Sequence, residues 1–215
     1  MSAPKLEAKQ EILERIRRAA GAGADRAAEY AAIPREYRRE GGMSPEARLE
    51  LFAARLYEYG AVVYRCTAAQ IADAVAQALT ARSRPAIVVS QGVPASWLPE
   101  GFEFVEDNAL SYAALDQSNG VLTGCEAAVA STGTIILRHG AGQARRAVTL
   151  VPDYHLCVVR AQQVVETLPE AVRRLEEFRA APLTTISGPS ATSDIEMTRV
   201  KGVHGPRTLD VVLVS

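Results

Sequence analysis

Residues 61–89 open with Ala61-Val62-Val63-Tyr64. After a polar break at Thr67 and Gln70 come Ile71, Val75, Ala78 and Leu79 at helical spacing, and then Pro85-Ala86-Ile87-Val88-Val89. The first run reads as a short strand. Thr67 and Gln70, three apart ahead of an apolar stripe, read as a capping box that starts a helix. The last run is continuous and rich in β-branched residues, which suits a strand in a sheet covered on both faces. Strand, helix and strand in this order make a βαβ unit with a right-handed crossover.

Working outward, Ser44-Pro45-Glu46 offers an N-cap, a proline at the first helical position and an early acid. Leu49, Phe52, Leu56 and Tyr59 share one helical face, and Gly60 ends the element. Toward the C-terminus, apolar runs at 135–137, 156–159, 183–186 and 209–214 are expected to extend the sheet. Between two of them, Thr167 and Glu170 cap a helix that carries Leu168, Val172, Leu175 and Phe178. The sum is an α/β domain with a mostly parallel sheet flanked by helices. A helix over 5–20 and a polar segment over 21–42, a candidate subunit contact, form an N-terminal helical extension. The expected division is an arm at 1–43 and the α/β domain at 44–215.

Composition narrows the function. The chain has 215 residues, 48% hydrophobic, which supports an ordinary core and excludes global disorder. Twenty-four basic residues against 25 acidic ones leave a charge of -1, so no nucleic-acid partner is expected. No apolar stretch is long enough to span a membrane and no leader pattern opens the chain, so a cytoplasmic protein is expected. Three dispersed cysteines suggest neither a disulfide framework nor a bound metal.

Two stretches spend glycine and hydroxyl residues where a plain core would spend leucine. One is Ser131-Thr132-Gly133-Thr134, running into Ile135-Ile136-Leu137. The other is Gly188-Pro189-Ser190-Ala191-Thr192-Ser193-Asp194-Ile195-Glu196, followed by Gly202-Val203-His204-Gly205-Pro206. Glycine turns backbone N–H groups toward a ligand, and hydroxyls add donors for an anion. The candidate binding residues are therefore Thr132, Gly133, Thr134, Gly188, Ser190, Thr192, Ser193 and Gly205, forming two walls of one site. Thr132-Gly133-Thr134 suits a tight strand-entry turn equally well. Ser190, Thr192 or Ser193 is expected to cap a short helix whose free N–H groups bind an anion.

Glu126, Asp194 and His204 are the candidate catalytic groups. A carboxylate at a strand end can act as base or nucleophile, and an imidazole near pKa 6.5 can move a proton at neutral pH. Asp194 also serves simply as favourable charge at a helix start. His155 reads as structural or at a site's edge, His139 as exposed loop, and Cys125 as a buried, inert thiol. Arg145, Arg146 and Lys201 can neutralise an anion, although surface charge is their default reading.

At these residues the chain resembles the lactate-utilisation protein C family, whose single domain is called the LUD domain. The resemblance rests on the two C-terminal motifs above all, with Ser131-Thr132-Gly133-Thr134 and Pro152-Asp153-Tyr154-His155-Leu156 in support. It runs from about Ser44 to the end. Where the family often has an acid before Thr-Gly-Thr, this chain has Ser131. The resemblance implies a fold like that of ribose-phosphate isomerase, glucosamine-phosphate deaminase and coenzyme A transferases. It also implies a place beside iron–sulfur proteins in a system that oxidises L-lactate to pyruvate. The clusters are expected in those partners, with no cofactor on this chain, which lacks closely spaced cysteines. The leading expectation is an accessory subunit that binds a small anion, with a homo-oligomer left open. A stand-alone sugar-phosphate isomerase or acyl/CoA-transferase-like enzyme is the alternative, and a ligand sensor without turnover is a third.

Overall fold

A computed structural model of the chain describes residues 3–20, 25–192, 200–202 and 204–215. The chain divides into two units, 1–37 and 38–215. The smaller holds helices α1 (Ala3–Ala19) and α2 (Arg26–Ala32), the latter capped by Asp25, whose carboxylate accepts from the N–H groups of Ala27 and Ala28. Residues 38–43 belong to the larger unit. There the buried Glu166 carboxylate accepts from the N–H groups of Gly42 and Met43, at 2.7 Å each, and pairs with Arg38 at 2.5 Å.

In the larger unit, Ser44 caps α3 (Pro45–Glu58). Strand β1 (Val62–Cys66) follows, then α4 (Ile71–Ala81), with the capping-box pair Thr67 and Gln70 on the short 3-10 turn that leads into it. Next come β2 (Ala86–Val89), β3 (Glu103–Glu106), α5 (Tyr112–Asp116) and β4 (Val121–Thr123). After these lie β5 (Ala127–Val129), β6 (Thr134–Leu137), β7 (Tyr154–Arg160), β8 (Val164–Val165), α6 (Leu168–Arg174) and β9 (Thr184–Ile186). The two-residue strands β10 (Ala191–Thr192) and β11 (Val200–Lys201) precede β12 (Thr208–Val214).

Six strands make one wholly parallel sheet in the order β1-β12-β7-β4-β2-β3. The fold is α/β, with this sheet flanked by helices. The central strands β7 and β12 are buried on both faces, which explains their unbroken apolar sequence. Alternate residues go to opposite sides. Leu156, Val158, Val212 and Val214 pack against Ile71, Val75, Ala78 and Leu79 of α4. Cys157, Val159, Leu209 and Val211 pack against Phe52 and Leu56 of α3 and against Ile135 and Leu137 of β6. Each large aliphatic side chain so buried contributes about 1.5–3 kcal/mol. β1 and β2, joined through α4, are parallel but lie with β12, β7 and β4 between them, so the crossover spans more sheet than its sequence indicates.

The apolar runs at 135–137 and 183–186 do not extend this sheet. They form β6 and β9 of a second sheet, β8-β5-β6-β9, whose β5·β6 and β6·β9 pairings are antiparallel. Ala171 and Leu175 cover its outer face against Val129 and Ile136. Short apolar, β-branched runs occur in both sheets, so sequence periodicity does not separate them.

A second departure lies after Ser190. Where a helix start was expected, Ala191–Thr192 pairs antiparallel with Val200–Lys201. The Ser190 hydroxyl caps no helix and accepts instead from the His204 N–H at 3.0 Å. Ser193, Asp194 and Glu196 lie outside the described residues.

Candidate functional site

A cleft of about 210 Å³ opens at the amino ends of β7 and β12. The loop after β9 brings Ser187, Gly188 and Ser190 to one side, and the turn before β12 brings His204, Gly205 and Pro206 to another. The connection between β6 and β7 supplies Arg146 and Thr149, while His155 and Leu209 enter from the sheet itself. No carboxylate lines the cleft among the described residues.

Arg146 is its cation. The guanidinium donates to the carbonyls of His204 at 3.1 Å and Thr149 at 3.3 Å, and has no carboxylate partner among the described residues. Those bonds position the group and leave its charge unneutralised. Arg145, one residue earlier, faces away and makes a two-pronged pair with Asp107 at 2.8 and 2.9 Å. That guanidinium holds the Asp107 carboxyl below its usual range.

His155 sits at the second position of β7 and is 1% exposed. Its Nε2 shares a hydrogen bond of 2.7 Å with the Thr123 hydroxyl, and its Nδ1 has no partner. Burial, with the charge of Arg146 nearby, pulls its pKa down to about 4. The ring is therefore neutral at pH 7. When the Thr123 hydroxyl donates to Nε2, Nδ1 carries the proton. That atom is sealed from solvent and has no partner among the described residues, which costs about 1–3 kcal/mol.

The expected site residues divide. Gly188, Ser190, His204 and Gly205 come together around the cleft. Thr134 reaches it indirectly: hydroxyls link Thr132 to Thr134 at 2.7 Å and Thr134 to Ser187 at 2.8 Å. Gly133 lies against α3 instead. It has a φ of +61°, and a Cβ there would come within 2.7 Å of the Arg55 Cβ. Gly188, at φ +86°, presses on the next turn, where a Cβ would sit 2.5 Å from that of Tyr59. Both glycines thus permit close approach to the end of one helix, whatever the cleft binds.

Glu126 lies away from the cleft, accepting from Arg138 Nε at 2.5 Å and Gln143 Nε2 at 2.8 Å. Thr192 stands in β10, and Ser193, Asp194 and Glu196 have no described position. His139 is no free loop residue: its ring bonds the Ala144 carbonyl at 2.9 Å and the Thr184 hydroxyl at 2.7 Å. Cys125 is buried, and a hydrogen bond with Cys157, together with burial, raises its thiol pKa. Arg146, Thr149 and His155 carry more of the cleft than their sequence signals indicated. The available hints were the charged pair Arg145-Arg146 just before the apolar segment Ala147-Val148-Thr149-Leu150-Val151, and a histidine at the head of a buried strand.

The fold agrees with what comparison with known proteins finds. The LUD domain model matches residues 6–214, so the chain belongs to the LUD domain family. The chain is 43% identical over 215 residues to a Deinococcus radiodurans protein named lactate utilization protein C, covering 97% of this chain and 96% of that one. A Bacillus subtilis protein of the same name is 32% identical over 106 residues, 46% of this chain and 44% of its own length. A crystal structure of a Deinococcus radiodurans DUF162 family protein, 41% identical, superposes with a TM-score of 0.71 over 81% of this chain and all of that one.

Proposed function

We propose that this protein serves lactate utilisation by binding a small carboxylate in the cleft at the amino ends of β7 and β12. The names of its relatives support the lactate role. The observation that carries the ligand class is an Arg146 guanidinium without a carboxylate partner, beside the hydroxyl residues Ser187 and Ser190, in a cleft that no carboxylate lines among the described residues. Such a site favours a ligand with one negative charge and a neighbouring oxygen, as in a 2-hydroxy or 2-oxo acid. Arg146 answers the carboxylate, and the hydroxyls of Ser187 and Ser190 on the rim answer the adjacent oxygen.

In this reading the redox step belongs to iron–sulfur partner subunits, beside which the chain acts in the cytoplasm as an accessory subunit. Its three cysteines are buried, and Cys66 lies in a different part of the core from Cys125 and Cys157, an arrangement that does not fit cluster ligation. A stand-alone isomerase or transferase on a related fold draws no support from Glu126, whose carboxylate is already engaged.

Titration calorimetry of the full chain with L-lactate and with pyruvate tests the binding. Arg146→Leu is expected to weaken whichever ligand binds by at least about tenfold. Wild type and variant binding both acids equally well, or neither acid binding the wild type, would refute the reading. Recovery of iron–sulfur proteins with the tagged full chain from lactate-grown cells tests the partnership separately.

A further inference from the structure

Resting on the carboxylate reading of the amino-end cleft, we propose that this cleft accepts both members of a 2-hydroxy/2-oxo acid pair. A chain of three hydroxyls beside it makes this possible by reversing its hydrogen-bond direction. The chain runs Thr132–Thr134–Ser187, with neighbouring oxygens 2.7 and 2.8 Å apart. Ser187 lines the cleft, Thr134 is only 7% exposed, and Thr132 lies at the surface. The chain thus leads from the cleft, through a buried link, to solvent.

The strands put these links side by side. Ile135 faces Ile186 across the antiparallel pair β6 and β9, so the preceding Thr134 falls opposite the following Ser187. A hydroxyl owns one proton and two lone pairs. With its single proton in use, Thr134 donates to one neighbour and accepts from the other, and the chain has two directions. When the protons point from Thr132 toward Ser187, Ser187 accepts within the chain and keeps its own proton for the cleft. When they point from Ser187 toward Thr132, Ser187 offers the cleft a lone pair instead, and Thr132 donates to water. The buried Thr134 is bonded on both sides in either state, so reversal leaves no buried group unpaired.

Ser190 on the same rim is biased toward donating. Its oxygen accepts from the His204 N–H at 3.0 Å, a donor that cannot reverse, and its own proton is left to point at a ligand. The cleft therefore holds one standing donor and one hydroxyl of either sense. A 2-oxo oxygen only accepts, and takes protons from both Ser190 and Ser187. A 2-hydroxyl group also donates: it accepts from Ser190 and gives its proton to Ser187, whose own proton turns toward Thr134. The Arg146 guanidinium meets the same carboxylate in both cases. No covalent bond forms or breaks, and only hydroxyl rotations separate the two states.

Calorimetry of the full chain and its variants with L-lactate and pyruvate tests this. The parent should bind both acids, with affinities within about tenfold of each other. Thr134→Val keeps the branched shape in β6 but removes the acceptor for the Ser187 proton. It should weaken L-lactate by about threefold to tenfold and leave pyruvate within about twofold, a change of ratio that loosened packing would not produce. Ser187→Ala, a change at the rim, should weaken both acids, and adding Thr134→Val to it should move the ratio no further. The proposal is overturned if the parent binds only one acid, if Thr134→Val shifts both affinities equally, or if Ser187→Ala alters neither. It is also overturned if Thr134→Val still moves the ratio once Ser187 is alanine. In each of these cases, loss of binding in Arg146→Leu would leave the carboxylate reading standing, whereas a parent that binds neither acid ends both.

Discussion

Arg145 and Arg146 are neighbours in the chain, yet they serve opposite ends of the sheet and answer different needs. Arg145 faces a cleft at the carboxyl ends of β2 and β3, where Asp107, itself only 8% exposed, neutralises it in a two-pronged pair. Arg146 faces the amino-end cleft, held by two carbonyls and the Thr149 hydroxyl. Carbonyls orient a guanidinium without cancelling its charge, so the first arginine stabilises a loop and the second remains free to attract an anion. The two clefts also handle tension differently. The amino-end cleft keeps an unpaired buried atom at His155, whereas the carboxyl-end cleft holds three residues at strained backbone angles.

The sharpest way to break this contrast is to delete each arginine. Arg145→Leu leaves the mostly buried Asp107 carboxylate without its cation, and with the guanidinium itself 40% exposed the loss is expected to be about 1–3 kcal/mol. Arg146→Leu should stay within about 0.5 kcal/mol of the parent, because no buried charge loses a partner. Urea midpoints compare the two directly, and equal losses would erase the distinction.

Acid titration probes the amino-end cleft. His155 has a folded pKa of about 4 against an ordinary 6.5, so its neutral form favours the folded state. That contribution is whole above pH 6.5 and is lost as pH falls toward 4, amounting to about 3 kcal/mol. His155→Gln should flatten this part of the stability profile. Parallel profiles for parent and variant between pH 7 and 4 would show that the ring does not sit there neutral.

Next in size, Gly188→Ala forces a Cβ toward Tyr59 at positive φ and should cost about 1–3 kcal/mol. Thermal unfolding reads the loss, and an unchanged midpoint would mean that the loop behind the amino-end cleft is free to shift. A smaller effect, and of opposite sign, is expected in the loop after β3. Ala109→Gly relieves a φ of +58° at an exposed turn and should raise stability by up to about 1 kcal/mol. A loss there would mean that the turn is not under tension.

Much of the fold was legible along the chain. Ser44 capping α3 and the Thr67/Gln70 and Thr167/Glu170 boxes lie where their hydrogen-bonding logic puts them, because a cap is a local event within four residues. The apolar runs at 135–137 and 183–186 were read as strands, but their sheet was not, since strand pairing depends on distant partners. The site was legible in part. Gly188, Ser190, His204 and Gly205 meet at the cleft, while Glu126 and Gly133 have other work in its surroundings.

By itself the sequence determined α3, α4 and α6 with their caps, the apolar strands β1, β2, β6, β7, β9 and β12, the α/β class and the family motif, all of which follow from short-range spacing and burial. Only the tertiary structure decided which arginine is neutralised, which sheet each strand joins and that His155 is a buried neutral ring at the edge of a cleft. Those outcomes depend on which charges and surfaces distant segments bring together. Electrostatics and desolvation act through space, and the order of residues along the chain does not encode those distances.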